Sequence, residues 1–334
     1  MSSAEYGQIV ESGFRPPWWA KNRHVQTIWP RWLQKRRRIA LDWEALELPD
    51  GDFVELAWTP EQKHQHGLVV CFHGLEGSAR SHYANDMLAV LHEQGWRAVM
   101  MHFRGCGNQP NRTLRAYHSG DTEDARFLLD TLQQRFPLLP KVGMGFSLGA
   151  NMLLKLLGER VSQSWFRAAI AISPPFRLAD CAQSINQGFS RLYQRYLLGS
   201  MCKRLLDKMQ RLDFSQLGLD AGKVNSFKSF RDFDQHVTAP LHGFACADDY
   251  YQQCSAVSYM DKINTPTLVL HALDDPFMSP QVVPKTNEIS PYVRLELSRQ
   301  GGHVGFMQGT PWRPLIWTHN RVVEFIRPHF QGNK

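Results

Sequence analysis

The chain has 334 residues, 43% of them hydrophobic and 21% charged, enough for a sizeable core in one large domain or two smaller ones. This composition excludes a disordered chain, a collagen-like repeat and a small disulfide scaffold. Lys and Arg number 38 against 31 Asp and Glu, a formal charge of +7, too dispersed to name a nucleic-acid or lipid partner.

Residues 1–38 read as an irregular extension packed on the core, with Pro16-Pro17-Trp18-Trp19 and Trp29-Pro30-Arg31-Trp32 in it. Ile39–Leu48 and Phe53–Trp58 follow as antiparallel strands joined by the turn residues Pro49-Asp50-Gly51-Asp52. The apolar run Leu68–Phe72, ending in His73-Gly74, has the form of a fully buried strand. Next come a helix over Tyr83–Gln94, a strand over Trp96–Phe103, a helix over Asp121–Phe136, a strand over Val142–Phe146, a helix over Leu148–Leu157 and a strand over Ala168–Ser173. Strands alternating with helices predict a parallel sheet covered on both faces. From Pro174 to Ile263 the alternation stops and helical spacing dominates, as at Leu192, Tyr196 and Leu197. It resumes with a strand over Thr267–His271, a helix near Pro280–Ile289, a strand over Val293–Leu297 and a helix near Leu315–Ile326. The expected division is therefore the extension 1–38, a core of 39–173 and 264–334, and a helical cap of 174–263 inserted into it.

The chemistry centres on Gly145-Phe146-Ser147-Leu148-Gly149, a Gly-x-Ser-x-Gly pattern between an apolar strand and an apolar helix. A serine at the point of such a turn adopts a strained backbone, and glycines on either side remove the side chains that would obstruct it. The hydroxyl is then presented to solvent beside a helix N-terminus, which favours an anion forming there. A serine hydroxyl needs a base, and the base needs an orienting acid. On this kind of scaffold they follow in the order Ser, acid, His on loops after later strands. Asp274 and Asp275 follow one such strand, and His303, bracketed by Gly302 and Gly305, follows the next. The spacing leaves the choice between the two aspartates open. The oxyanion formed on attack needs two donors. The Leu148 amide, just after the serine, is one, and Leu75 in the loop His73-Gly74-Leu75-Glu76-Gly77 is the candidate for the other. His73, directly after a strand, shapes that loop rather than acting as a base.

These runs (Phe72–Gly77, Gly145–Asn151 and Gly301–Phe306) resemble the α/β-hydrolase superfamily. They are most similar to its branch of bacterial YheT-type esterases and eukaryotic abhydrolase-domain lipases. His24-Val25-Gln26-Thr27, Arg104-Gly105-Cys106-Gly107, His118–Thr122 and Asp274-Asp275-Pro276 extend the likeness from about residue 20 to residue 325. The resemblance implies an α/β-hydrolase fold, with a mostly parallel eight-stranded sheet, helices on both faces and a helical cap. It also implies ester hydrolysis through an acyl-enzyme, no cofactor, and a triad of Ser147, Asp275 and His303.

The expected partner is a small-molecule ester or acyl lipid. The aromatic residues Phe176, Phe189, Tyr193 and Tyr196 of the inserted segment suit short- to medium-chain acyl esters or monoacylglycerol-like lipids better than charged substrates. An acyltransferase or thioesterase would use the same acyl-enzyme, and a non-catalytic binding module could use the same scaffold. No nucleic-acid motif is present. His64-Gln65-His66 and His271 near Asp274-Asp275 lack the spacing of a zinc site. The basic run Arg31–Arg38 is an expected solvated segment with weak affinity for anionic membrane surfaces. Apolar runs such as Ala168–Ile172 fall far short of the roughly 18 residues of a membrane span, and Glu5, Glu11 and Arg15 interrupt any N-terminal signal pattern. Six dispersed cysteines without a Cys-x-x-Cys pair complete the expectation of a cytoplasmic protein with reduced thiols.

Overall fold

The structure, a computed structural model, describes residues 6–33, 37–159, 162 and 164–331. In chain order it has β1 (Gln8–Glu11), α1 (Arg23–Leu33), β2 (Asp42–Glu47), β3 (Phe53–Trp58), β4 (Leu68–Phe72), α2 (His82–Glu93) and β5 (Arg97–Met101). Then come α3 (Glu123–Arg135), β6 (Lys141–Phe146), α4 (Leu148–Glu159) and β7 (Ala168–Ile172). The inserted segment carries α5 (Leu178–Ser184), α6 (Ser190–Met209), α7 (Ala221–Ser226), α8 (Phe230–Phe233), α9 (Ala239–Leu241) and α10 (Ala247–Cys254). The chain closes with β8 (Thr267–Ala272), β9 (Val293–Ser298), the hairpin β10 (Met307–Thr310) and β11 (Arg313–Ile316), and α11 (Trp317–Phe330).

The main sheet runs β1-β9-β8-β7-β6-β4-β5-β3-β2. All its pairings are parallel except β2 with β3 and β3 with β5. The eight strands implied by the resemblance are β2 to β9, and a ninth is added at the edge. Residues 1–38 are therefore not simply irregular: β1 pairs in parallel with β9, Gln8 opposite Arg294, and α1 follows. The segment expected as a helix near Pro280–Ile289 instead forms two single turns of 3-10 helix, Pro280–Val282 and Thr286–Glu288. Pro284 between them offers no N–H to a continuous helix.

Side chains alternate across the strands and build a core on each face. Leu68, Val70 and Phe72 of β4 pack with Leu128 of α3 and Leu153 of α4. Val69 and Cys71 pack on the opposite face with Leu88 of α2 and Val322 of α11. Covering on both faces explains why the central strands are apolar throughout. The segment between β7 and β8 carries a separate small core of Leu205, Phe214, Leu219, Val224 and Val237. Asn151 ties it to α4, donating to the Ser119 and Cys254 carbonyls at 2.8 Å each and accepting from the Ala256 amide at 2.9 Å. All six cysteines are free thiols.

Candidate active site

Ser147 stands between β6 and α4 with φ of +50°, the left-handed region a β-carbon disfavours. Such strain persists only where the surroundings impose it. A β-carbon on Gly145 would lie 2.5 Å from the Gly149 carbonyl oxygen. One on Gly149 would lie 2.5 Å from the carbonyl oxygens of both Phe72 and His73. Both glycines are thus required sterically, the first for the sharp turn and the second for the approach of α4 to β4.

The residues singled out in the sequence converge on this turn. His303 Nε2 lies 2.9 Å from Ser147 Oγ, and His303 Nδ1 lies 2.7 Å from Asp275 Oδ2. The imidazole is nearly buried and stacks on Phe277 at 4.1 Å. Asp275 is 1% exposed, and its other oxygen accepts the Phe277 amide at 2.8 Å. Asp274 turns elsewhere: its Oδ1 accepts the Gly302 amide at 2.9 Å, and burial raises its carboxyl above the usual range. The two aspartates divide their work, one on the ring and one on the loop that carries it.

Leu75 and Leu148 both line the cavity at Ser147. Among the described residues, neither backbone N–H has an acceptor within the protein. The loop bearing Leu75 is fixed by its neighbours. Gly74 donates to Tyr83 Oη at 2.9 Å, and a β-carbon on it would sit 3.2 Å from that of Ser147. His73 is fully buried, and burial reinforced by nearby His102 holds its imidazole down to about 3. Its neutral ring accepts the Phe103 amide at Nε2 and donates from Nδ1 to the Gly74 carbonyl. That is a loop-shaping role.

Three supports escaped the sequence reading. Thr27 Oγ1 accepts the His303 amide at 3.0 Å, and Gln26 Oε1 accepts the Met307 amide at 2.6 Å, so α1 braces the histidine loop. Ser173, itself at φ of +52°, accepts the Val304 amide at 3.2 Å. Glu76 accepts from Tyr117 Oη at 2.9 Å, Ser200 Oγ at 2.7 Å and Arg204 Nη2 at 3.1 Å, tying α6 to the loop beside Leu75. The sequence did show Gln26, Thr27 and Glu76 inside family-like runs, but gave no sign of what they touch.

The cavity beside Ser147 measures about 460 Å³. Its walls combine Leu148 and Leu75 of the core with Leu178, Ile185, Met201 and Leu205 of the inserted segment. No group of three or more metal-ligating side chains occurs among the described residues. His271 is buried on β8 against Phe176. The basic run lies largely outside the described residues, its side chains from Arg31 to Arg36 included. Of its last two members, both exposed, Arg37 pairs with Glu93 at 3.3 Å. Among the described residues no helix is long and apolar enough to cross a membrane.

A strained serine on a strand-to-helix turn, under an inserted helical segment and on a mostly parallel sheet, defines an α/β hydrolase. Residues 67–310 match the family described as alpha/beta hydrolase fold, and the chain belongs to it as an esterase- and lipase-like member. It is 42% identical over 333 residues, 99% of this chain and 95% of the other, to the Escherichia coli (strain K12) protein named "Putative esterase YheT". It is 26% identical over 327 residues, 96% of this chain and 80% of the other, to human phospholipase ABHD3. Among solved structures, the Pyrococcus furiosus esterase Pf2001 shares the fold, with a TM-score of 0.55 at 17% identity over 88% of this chain and 98% of that one.

Proposed function

We propose that the protein is a serine carboxylic-ester hydrolase working through an acyl-enzyme. The observation that carries the reading is the unbroken hydrogen-bond line from Ser147 through His303 to buried Asp275, set beside two amides that have no acceptor among the described residues. Ser147 attacks the ester carbonyl while His303 Nε2 takes its proton. Asp275 holds the ring in the tautomer that can accept and stabilises the imidazolium that forms. The Leu75 and Leu148 amides receive the oxyanion. His303 returns the proton to the leaving alcohol, then activates the water that releases the acid.

The segment 174–263 acts as a cap on the core of 39–173 and 264–334, with 1–38 bracing it. A cavity of about 460 Å³ lies within the ~300–1,000 Å³ range of small-molecule sites. It suits a short- to medium-chain acyl ester or a monoacylglycerol-like lipid. Trp18 and Trp312, 79% and 85% exposed, and the Arg36–Arg38 run support weak contact with an anionic membrane surface. Binding of the parent protein to anionic vesicles, weakened by changing Arg36–Arg38 to Gln, tests that contact. A fluorophosphonate probe tests the chemistry. It labels the parent and not Ser147→Ala, and p-nitrophenyl esters of increasing chain length then map the acyl preference. Absence of labelling in the parent refutes the reading, and product transfer to added alcohols in place of water redirects it to an acyltransferase.

A further inference from the structure

Lys208 lies on α6 in the wall of the same cavity as Ser147, 7% exposed. Its ammonium donates to the Leu114 carbonyl at 2.9 Å and the Arg115 carbonyl at 2.7 Å, which uses two of its three protons. Burial pushes it down to about 8, so it keeps its charge at neutral pH. Among the described residues no carboxylate lies within ion-pair distance of it. The nearby Asp52 carboxylate is consumed by Arg104, Asn111, Thr113 and the Arg112 amide. Asp234 in the same wall accepts from Thr238 and Tyr251, Glu76 is held by Arg204, and the neighbouring Asp207 makes no ion pair with it. The other charges acting on Lys208 are the cations Arg104 and Arg211.

A buried ammonium without an ion-pair partner is costly unless something neutralises it, and Asp52 favours its charge only from a distance. His242 also lines the cavity, near enough for the Lys208 charge to disfavour its protonation, and among the described residues its buried Nε2 has no hydrogen-bond partner. The inserted segment leads to this point through a turn of π-helix, Asp234–Thr238, a rare form that recurs at functional sites. Lys208 follows Arg204, the partner of Glu76 next to Leu75, by one helical turn of ~6 Å. The polar end therefore lies within reach of a substrate whose carbonyl sits at Ser147.

From this we infer that Lys208 and His242 form an anion-binding subsite, which selects esters carrying a carboxylate or phosphate a few atoms from the scissile carbonyl. The inference rests on the hydrolase reading above and corrects its preference for wholly uncharged substrates. The apolar wall takes the chain, and Lys208 supplies its third proton to the anionic oxygen while His242 Nε2 donates a second hydrogen bond.

The test compares p-nitrophenyl monoesters of medium-chain dicarboxylic acids with methyl-ended p-nitrophenyl esters of equal length. A second arm compares monoacylglycerol phosphate with monoacylglycerol, which places the anion on the alcohol side. In at least one arm the parent's kcat/KM favours the anionic substrate, and Lys208→Met lowers that preference by about tenfold or more while Lys208→Arg keeps most of it. A ratio that is the same in parent and Lys208→Met, in both arms, overturns the inference. Should Lys208→Met not fold, the parent decides alone. Hexyl phosphate inhibits p-nitrophenyl butyrate hydrolysis about tenfold more strongly than hexanol if the subsite exists, and equally if it does not. Failure of the hydrolase reading is separately visible, since Ser147→Ala still binds hexyl phosphate by calorimetry when only the chemistry has been misassigned.

Discussion

Replacing Asp275 by Asn changes one atom and removes one charge. In the parent, Oδ1 accepts the Phe277 amide at 2.8 Å and Oδ2 meets His303 Nδ1 at 2.7 Å. The Phe277 N–H fixes the carbonyl of the new amide at the Oδ1 position, because a backbone donor cannot face an NH₂ group. The amide nitrogen then points at His303 Nδ1, which must accept, and the ring proton moves to Nε2. That nitrogen, 2.9 Å from Ser147 Oγ, can no longer take the serine proton. A triad held in the wrong tautomer loses about 10⁴ in kcat, or ~5 kcal/mol at 1.36 kcal/mol per decade. Asp274→Asn is the control: its amide oxygen still accepts the Gly302 N–H, so the loss stays below about tenfold. Steady-state hydrolysis of p-nitrophenyl butyrate, with a thermal melt of each variant, measures both. Retention of more than about 1% of kcat by a folded Asp275→Asn, or an equal loss in both variants, refutes the assignment.

Three further outcomes are expected. Gly149→Ala puts a β-carbon 2.5 Å from two backbone oxygens, so α4 must retreat from β4 at a cost of about 1–3 kcal/mol, read as a lower urea midpoint; an unchanged midpoint contradicts the steric account. Burial holds His242 and His271 down to about 4 and His73 and His319 to about 3. Below pH 6.5 the unfolded chain therefore binds protons that the folded one refuses, and this outweighs Asp121 and Asp234, whose carboxyls burial raises and which work in the opposite sense. Stability that is full at neutral pH is lost as pH falls from about 6.5 toward 4, by on the order of 1–3 kcal/mol per unit in urea titrations; a flat profile would show these rings to be accessible to protons. Glu76→Gln removes the charge that joins α6 to the loop of Leu75, lowering kcat about tenfold with KM for a neutral ester little changed, whereas a rise in KM alone would assign Glu76 to substrate binding.

Much of this arrangement was legible because each motif carries its own steric reason. Gly145 and Gly149 announced a close approach, and the glycines around His303 announced a bent loop. The order of strands fixed which loops would meet. The choice of Asp275 over Asp274 rested on resemblance, because adjacent residues differ in direction only once the backbone is built. What stayed hidden depends on partners distant in sequence. β1 has four residues, none of them fully buried, and exists because the edge of β9 is there to receive it. The hairpin β10–β11 contains Pro314, a residue that weakens a strand reading. The environment of Lys208 was equally invisible, since a lysine on a helix normally faces water and this one instead donates to the Leu114 and Arg115 carbonyls more than ninety positions away.

The bracing of the histidine loop by α1 bears on when the protein becomes active during its synthesis. Thr27 and His303 are 276 positions apart, and β1 finds its edge only after β9 has been made. β1 and α1 are made well before the β9 edge and the His303 loop that they contact, and wait for both. A nascent chain that has not yet reached His303 carries Ser147 without its imidazole partner. On the proposed reading, hydrolysis therefore waits until β1, α1 and the His303 loop have met, however early Ser147 is placed on its turn.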